Sequence, residues 1–168
     1  MLPLLIVDDA REDALLVQRV LSQCKILNPV LVLNSGDACL DFFEAVGPFT
    51  ERKLPCLVLL DMIMAPLSGL DVLGKLRSHG WLAKGSMVVM LSGLTDIKAI
   101  HEGYQLGAKT FLIKPLQAED VMQMLNSIAS LSAVKRPDGY ELVFTHSSTI
   151  LPPNVAPNTL SAIRSFSK

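Results

Sequence analysis

The 168-residue sequence has no apolar run long enough to cross a membrane, although half of its residues are hydrophobic and its mean hydropathy is +0.41. The longest apolar stretches, residues 2–7 and 54–60, fall far short of the ~20 residues that a spanning helix needs. No basic residue precedes the first stretch and two aspartates follow it directly, so it does not resemble a signal peptide. The hydropathy therefore indicates strands buried on both faces, and we expect a cytoplasmic protein.

Cysteine and net charge are also scarce. Cys24, Cys39 and Cys56 are widely spaced and form no CxxC pair, so neither a disulfide framework nor a zinc site is indicated. We interpret them as small buried hydrophobic residues. The formal net charge of −1 gives no general attraction to nucleic acid or anionic lipid, and we expect the protein to bind neither directly.

Short apolar runs alternate with amphipathic stretches along the first 131 residues. The runs are rich in Val, Ile and Leu and are continuously apolar, as strands of a central parallel sheet are. The predicted strands cover residues 2–7, 29–34, 56–60, 86–91 and 110–113. The predicted helices cover residues 12–25, 37–46, 70–78, 96–106 and 118–131. We place Ser35 at the N-cap of the second helix and Thr95 or Asp96 at the start of the fourth.

This order gives five βα units. Right-handed crossovers between parallel strands put helices on both faces of the sheet. The predicted fold class is therefore α/β, with a doubly wound, five-stranded parallel sheet.

The remaining residues, 132–168, have a different composition. They contain four of the ten prolines and six serines, and their formal charge is +2. We predict one short strand at residues 140–144, suited to adding to a sheet edge, and one short helix at residues 158–166. No helix-turn-helix, zinc-ligand pattern or second core is visible. The chain is therefore divided into a domain at 1–131 and a Pro/Ser-rich extension at 132–168 that is not a recognisable effector domain.

Polar residues follow four of the predicted strands. Asp8 and Asp9 come after the first strand, Asp61 after the third, Ser92 after the fourth and Lys114 after the fifth. In open α/β sheets, ligands bind beyond the carboxyl ends of the strands, so these side chains should converge. Any one of the aspartates alone would be explained as a helix cap or a strand end, but the joint pattern favours a functional site.

The convergence of three carboxylates requires a positive partner. Mg²⁺ prefers oxygen ligands and is usually held by one or two carboxylates together with a phosphate. Lys114 adds a point charge suited to phosphate, and an aspartate can act as the nucleophile that forms an acyl phosphate. The residues therefore predict an Mg²⁺-dependent phosphoryl-transfer site.

Four segments carry a resemblance to a known family. Read in order, LLIVDD, LVLLDMIMAPLSG, VVMLSG and FLIKP are similar to the receiver domain of two-component response regulators, over about residues 1–131. The resemblance implies a flavodoxin-like sheet with the strand order 2-1-3-4-5.

The resemblance also implies a role for the acidic residues. Asp61 matches the phosphoacceptor. Asp9 matches a direct Mg²⁺ ligand, and Asp8 an acidic partner that acts mainly through water. The backbone carbonyl of Ile63 matches the third protein ligand of the metal.

Further positions match the parts of the family's switch. Lys114 corresponds to the lysine that contacts the phosphoryl group, and Pro115 to a proline that often follows it through a cis bond. Ser92 corresponds to the switch hydroxyl, Phe111 to the aromatic switch and Gly69 to a turn glycine.

The resemblance further implies a signalling switch that catalyses only its own phosphorylation and dephosphorylation. Its partners would be a sensor histidine kinase or histidine phosphotransfer protein and a downstream protein target. Dimerisation through the face of the fourth and fifth helices stays open. Ile63 and Leu94 are apolar at positions expected to help place or exclude the attacking water, so we hypothesise slow self-dephosphorylation.

One departure and three alternatives accompany the resemblance. Ala65 stands where the family usually has proline, with Pro66 one place later. A phosphatase of the haloacid dehalogenase type would carry a second aspartate at Ile63. A flavodoxin-like cofactor binder would need a phosphate-binding loop after the first strand, where the sequence is acidic. A degenerate receiver acting as a constitutive interaction module would not need the intact acidic and lysine set.

Overall fold

The computed structural model describes residues 1–93 and 96–144, which form an α/β sandwich followed by a β-hairpin. The strands of the main sheet are β1 (Leu4–Val7), β2 (Val30–Leu33), β3 (Leu57–Asp61), β4 (Met87–Ser92) and β5 (Thr110–Ile113). The helices are α1 (Arg11–Gln23), α2 (Gly36–Glu44), α3 (Gly69–Ser78), α4 (Ile97–Leu106) and α5 (Ala118–Ser127). The hairpin consists of β6 (Leu131–Arg136) and β7 (Gly139–Phe144).

The five strands are parallel and lie in the order β2-β1-β3-β4-β5, which confirms the predicted fold class and strand order. Alternate residues of each strand face opposite layers, because successive side chains of a strand point to opposite faces. In β1, Leu4 and Ile6 pack in the layer of α1 and α5, whereas Leu5 and Val7 pack in the layer of α2, α3 and α4. All four side chains are fully buried, which explains the continuous apolar run.

The helix starts agree with the sequence signals. The Ser35 hydroxyl accepts a hydrogen bond from the backbone N–H of Ala38 at 3.1 Å, which confirms it as the N-cap of α2. At α4 the cap is Asp96, whose carboxylate accepts from the N–H of Lys98 at 2.9 Å. Thr95 and the helix predicted at residues 158–166 lie outside the described residues.

The predicted end of α5 was wrong. We predicted the helix to Leu131, but it ends at Ser127, and Ile128 is extended with φ −89° and ψ 100°. Ile128 and Leu131 are nevertheless buried in the same layer as α5. The apolar pattern therefore continues past the helix because the chain stays against the core, and a pattern of burial alone does not reveal the change to extended backbone.

The strand predicted at residues 140–144 is confirmed as part of β7, but its partner β6 was not predicted. Leu131 and Leu142, one from each strand, belong to the buried layer of α1 and α5. The buried amide of Asn28 donates to the carbonyls of Leu2 and Leu142 at 2.8 and 3.0 Å, and its oxygen accepts from the N–H of Leu142 at 2.7 Å. The hairpin is thus fixed to the amino end of the sheet, opposite the strand ends that carry the polar residues.

Candidate functional site

The carboxyl ends of the strands bring together an acidic cluster, as the sequence predicts. Asp8 and Asp9 follow β1 and Asp61 is the last residue of β3, and these strands are neighbours in the sheet. Carboxylate oxygens of the three residues lie within 4.8 Å of one another. Asp8 and Asp61 are buried and Asp9 is exposed, so one side of the cluster is open to solvent. An all-oxygen set open on one side fits a hard divalent cation such as Mg²⁺.

Lys114, which follows β5, is the cation of the cluster. Its ammonium lies 2.6 Å from Asp61 Oδ1, 2.7 Å from Asp8 Oδ2 and 2.9 Å from Asp13 Oδ2. An ammonium has three N–H donors, and each has a carboxylate within reach. The side chain of Lys114 is only 17% exposed, so these contacts are less screened by solvent than surface ion pairs are.

Burial and neighbouring charge act in opposite directions on this pair. Burial raises the pKa of Asp61 above its ordinary value, the hydrogen bond and charge of Lys114 lower it, and the charge of Asp8 raises it again. For Lys114, burial lowers the pKa, but hydrogen bonds to Asp61, Asp8 and Asp13 outweigh it, so that its pKa is raised. Lys114 is therefore held as a cation. Burial and the charge of Asp8 disfavour the ionised form of Asp61, which additional positive charge, such as a bound cation, would stabilise.

Backbone N–H groups fix the orientation of the carboxylates. Asp8 Oδ1 accepts from the N–H of Ala10 at 2.9 Å, and Asp61 Oδ2 accepts from the N–H of Ile63 at 3.1 Å. Ala65 donates to Asp9 Oδ2 at 3.3 Å. The loop after β3 thus reaches across to the residues after β1. The role of the Ile63 carbonyl as a metal ligand stays a prediction.

The same loop folds tightly onto the end of β3. The N–H of Met62 donates to the carbonyl of Leu91 on β4 at 2.9 Å, and the N–H of Gly69 donates to the carbonyl of Met62 at 3.0 Å. A Cβ at Gly69 would lie 2.1 Å from the backbone oxygen of Asp61, so only glycine fits there. The bonds before Pro66 and Pro115 are both cis, the second as the resemblance implies.

Ser92 and Phe111 lie on the adjacent strands β4 and β5. Ser92 is fully buried as the last residue of β4, and its carbonyl accepts from the N–H of Lys114 at 2.8 Å. The ring of Phe111 makes an edge contact with Tyr104 of α4, with centroids 5.1 Å apart. A Cβ at Gly103 of α4 would lie 2.4 Å from Phe111 Cζ, so the ring packs directly on the backbone of that helix.

Asp13 is the site residue that sequence reasoning missed. It lies in the first turn of α1 and contacts Lys114, although it does not follow a strand as the predicted site residues do. Its place in the first turn of the helix that directly follows Asp8 and Asp9 is the signal that would have placed it near the cluster. That signal is weak, because acidic residues are common in the first turn of helices for electrostatic reasons alone.

Comparison with known proteins decides the family. A family model described as "Response regulator receiver domain" matches residues 4–126, well over half of the chain. The chain belongs to this family. Among curated relatives of this receiver, response regulator Rcp1 from Synechocystis sp. is 28% identical over 127 residues, which are 76% of this chain and 86% of the relative. Chemotaxis protein CheY from Listeria monocytogenes is 31% identical over 129 residues, which are 77% of this chain and 99% of the relative.

Solved structures of response regulators are similar to this receiver. Bacteriophytochrome response regulator RtBRR matches with a TM-score of 0.73 and 26% identity, covering 98% of this chain and 90% of that chain. The Mn(2+)-bound form of response regulator Rcp1 matches with a TM-score of 0.64 and 27% identity, covering 74% of this chain and 88% of that chain. Among the described residues of this receiver, no helix has the length and apolar character that crossing a membrane requires.

Proposed function

We propose that this receiver accepts a phosphoryl group onto Asp61 from a phosphohistidine of a partner, and that phosphorylation switches its contacts with a downstream protein target in a two-component phosphorelay. The donor would be a sensor histidine kinase or a histidine phosphotransfer protein. One observation carries the proposal. Asp61 ends a central strand with a side chain only 8% exposed, and it lies against Lys114 within a cluster of carboxylates.

The oxygen-rich cluster supports a role for Mg²⁺. Asp8, Asp9 and Asp61, with the backbone carbonyl of Ile63, would hold the ion, because hard divalent cations take carboxylate and carbonyl ligands. The similar Rcp1 structure is a Mn(2+)-bound form, which supports a divalent cation in this chain. When bound, the ion would offset the repulsion among the carboxylates and neutralise charge on phosphoryl oxygens.

In phosphoryl transfer to Asp61, the protein mainly positions the reacting groups and stabilises charge. A carboxylate oxygen of Asp61 forms a bond to phosphorus as the bond from phosphorus to the imidazole nitrogen breaks, and the imidazole leaves with the electron pair. Lys114 stabilises the negative charge on the phosphoryl oxygens from a distance already set by its ion pairs. The protein is thus a signalling switch whose catalysis is limited to its own phosphorylation and slow dephosphorylation.

The switch would involve Ser92 and Phe111. The Ser92 hydroxyl would hydrogen-bond the new phosphoryl oxygens, and Phe111 would move into the space released. Because Phe111 packs on Tyr104 and against Gly103, its displacement would alter the surface of α4. The hydrogen bonds from the Ser92 hydroxyl to the phosphoryl oxygens would exist only in the phosphorylated state, so they would shift a two-state population.

The wider setting is also a proposal. We place the receiver domain at residues 1–131 and treat residues 132–168 as a Pro/Ser-rich extension that is not a recognisable effector domain. We expect the protein in the cytoplasm, where its buried free cysteines would stay reduced, with no direct binding to nucleic acid or membrane. Homodimerisation stays open.

The test is intact mass after incubation with acetyl phosphate, with and without Mg²⁺, on the wild type and Asp61→Asn. We expect a single Mg²⁺-dependent phosphate adduct that is absent from the variant. An adduct that persists in Asp61→Asn would mean that another residue is the acceptor, and no adduct under any condition would favour a constitutive interaction module. After removal of the donor, we expect slow loss of the adduct, because Ile63 beside Asp61 is apolar and so is Leu94, which lies outside the described residues. Rapid loss without a phosphatase would contradict this.

A further inference from the structure

Among the described residues, Asp13 is the one carboxylate in contact with Lys114 that the acidic metal cluster does not include. It lies in the first turn of α1, where its charge also interacts favourably with the helix dipole. Its oxygen lies 2.9 Å from the ammonium, and its side chain is 44% exposed. The other two partners of Lys114, Asp8 and Asp61, are both buried and both belong to the cluster.

This difference between Asp13 and the other two carboxylates becomes important when a divalent cation is bound or Asp61 is phosphorylated. A bound divalent cation would occupy oxygens of the cluster, and phosphorylation would convert the Asp61 carboxylate to an acyl phosphate, whose negative charge lies on the phosphoryl oxygens. Both events weaken the hold of Asp8 and Asp61 on Lys114. Asp13 keeps its charge and its place on a rigid helix throughout, so its contact is the one that the reaction leaves unchanged.

We propose that Asp13 is a positioning residue that anchors the Lys114 ammonium beside the reacting carboxylate during phosphoryl transfer. This inference rests on the function proposed above. Asp13 does not touch the phosphoryl group and acts only through Lys114. A half-exposed ion pair is a modest constraint, so the expected effect on the rate is also modest.

The sign of the effect separates anchoring from simple charge. If Asp13 acted only as a nearby negative charge, its neutralisation would reduce the repulsion of an anionic phosphodonor and speed the reaction. If it anchors Lys114, its neutralisation leaves the ammonium less well placed and slows the reaction. The two roles therefore predict opposite changes.

The experiment measures the initial rate of adduct formation by intact mass, at an acetyl phosphate concentration well below saturation, over a series of Mg²⁺ concentrations. Asp13→Asn removes the anchor, Asp13→Glu keeps the charge, and Glu12→Gln removes an equal charge from the same helical turn. Asp13→Ser serves as a second neutral variant if Asp13→Asn proves poorly folded by urea denaturation.

We expect Asp13→Asn to be about three- to fivefold slower at saturating Mg²⁺, with its half-saturating Mg²⁺ concentration changed less than about twofold. Asp13→Glu should recover part of the rate, and Glu12→Gln should be as fast as the wild type or slightly faster. A neutral variant that is as fast as the wild type, equal slowing by Glu12→Gln, or full recovery at high Mg²⁺ would overturn the inference. Absence of an adduct in the wild type would instead overturn the proposed function.

Discussion

Gly69, eight residues after Asp61, shows how strictly the backbone constrains a single position near the site. A Cβ there would lie 2.1 Å from the carbonyl oxygen of Asp61 and 2.9 Å from the Cα of Met62. Backbone atoms of a central strand cannot move away as a flexible side chain can. The glycine is therefore required by space rather than by its backbone angles, and it is what allows α3 to start directly against the end of β3.

We predict that Gly69→Ala destabilises the protein, at or above the upper end of the roughly 1–3 kcal/mol typical of overpacking. The measurement is the free energy of unfolding from urea denaturation. Gly74→Ala, in the same helix, is the matched control. A Cβ at Gly74 would make only an ordinary contact with Leu106 at 3.9 Å, so alanine should be neutral or stabilise by up to about 1 kcal/mol. Equal effects of the two substitutions would contradict the steric argument.

The three cysteines give a second prediction at the scale of single residues. Burial raises the pKa of Cys39 to about 12 and that of Cys56 to about 11, so both thiols are protonated at neutral pH. The thiolate is the reactive form, so we expect negligible reaction of these two with a disulfide reagent in the folded protein at mildly alkaline pH. All three should react quickly in concentrated guanidinium chloride. Fast modification of Cys39 in the folded state, located by peptide mass, would contradict the burial.

Residues of the site could be predicted where topology alone decides their position. Asp8, Asp61 and Lys114 directly follow or end strands, and parallel strands bring their carboxyl ends to one edge. Asp13 could not be predicted in this way, because its contact depends on the path of the long Lys114 side chain toward α1. The sequence predicts that Asp13 lies on a helix, but it does not predict which way the flexible Lys114 side chain extends.

At the scale of elements, the five strands and the starts of the helices were predictable because each carries a local signal. Fully buried parallel strands read as uninterrupted apolar runs, and Ser35 and Asp96 cap the helices that follow them. Helix ends were less predictable. The end of α5 at Ser127 is set by the turn toward the hairpin, where buried residues continue but the backbone becomes extended.

The first strand of the hairpin was missed for a related reason. The segment Leu131–Arg136 contains Ser, Ala and Lys, which do not favour strands. It is a strand because it pairs with β7, and its own sequence pattern does not indicate one. Pro137 and Asp138 lie between the strands and are followed by Gly139, the first residue of β7, and this Pro-Asp-Gly sequence is a turn signal that would have indicated the hairpin. The docking itself depends on Asn28, more than a hundred residues away in sequence, which no local pattern reveals.

The hairpin provides the prediction at this scale. Leu142 of β7 is 1% exposed and belongs to the core layer of α1 and α5. We expect Leu142→Ala to lower the free energy of unfolding by about 2–5 kcal/mol, as buried leucine truncations do. The neighbouring Val143 is less buried, and Val143→Ala should cost clearly less. A negligible effect of Leu142→Ala in urea denaturation would mean that the hairpin does not contribute to the cooperative core.

At the scale of the whole molecule, the two ends of the sheet have different characters. The carboxyl end holds the acidic cluster and Lys114, and it is open to solvent at Asp9. The amino end is covered by the hairpin, whose β7 also forms a parallel bridge between Tyr140 and Ile26. The strand order was predictable only through the family resemblance, because the apolar pattern of the strands does not indicate which strands pair with each other.

Phe144, the last residue of β7, lies near the amino end of β4. Its ring lies about 3.6 Å from a Cβ built on Gly85, just before β4, whereas the acidic cluster lies past the other end of that strand. At ~3.3 Å per residue, the two ends of β4 are on the order of 20 Å apart. The hairpin therefore covers the end of the sheet opposite the acidic cluster, and the side of the cluster at Asp9 stays open to solvent.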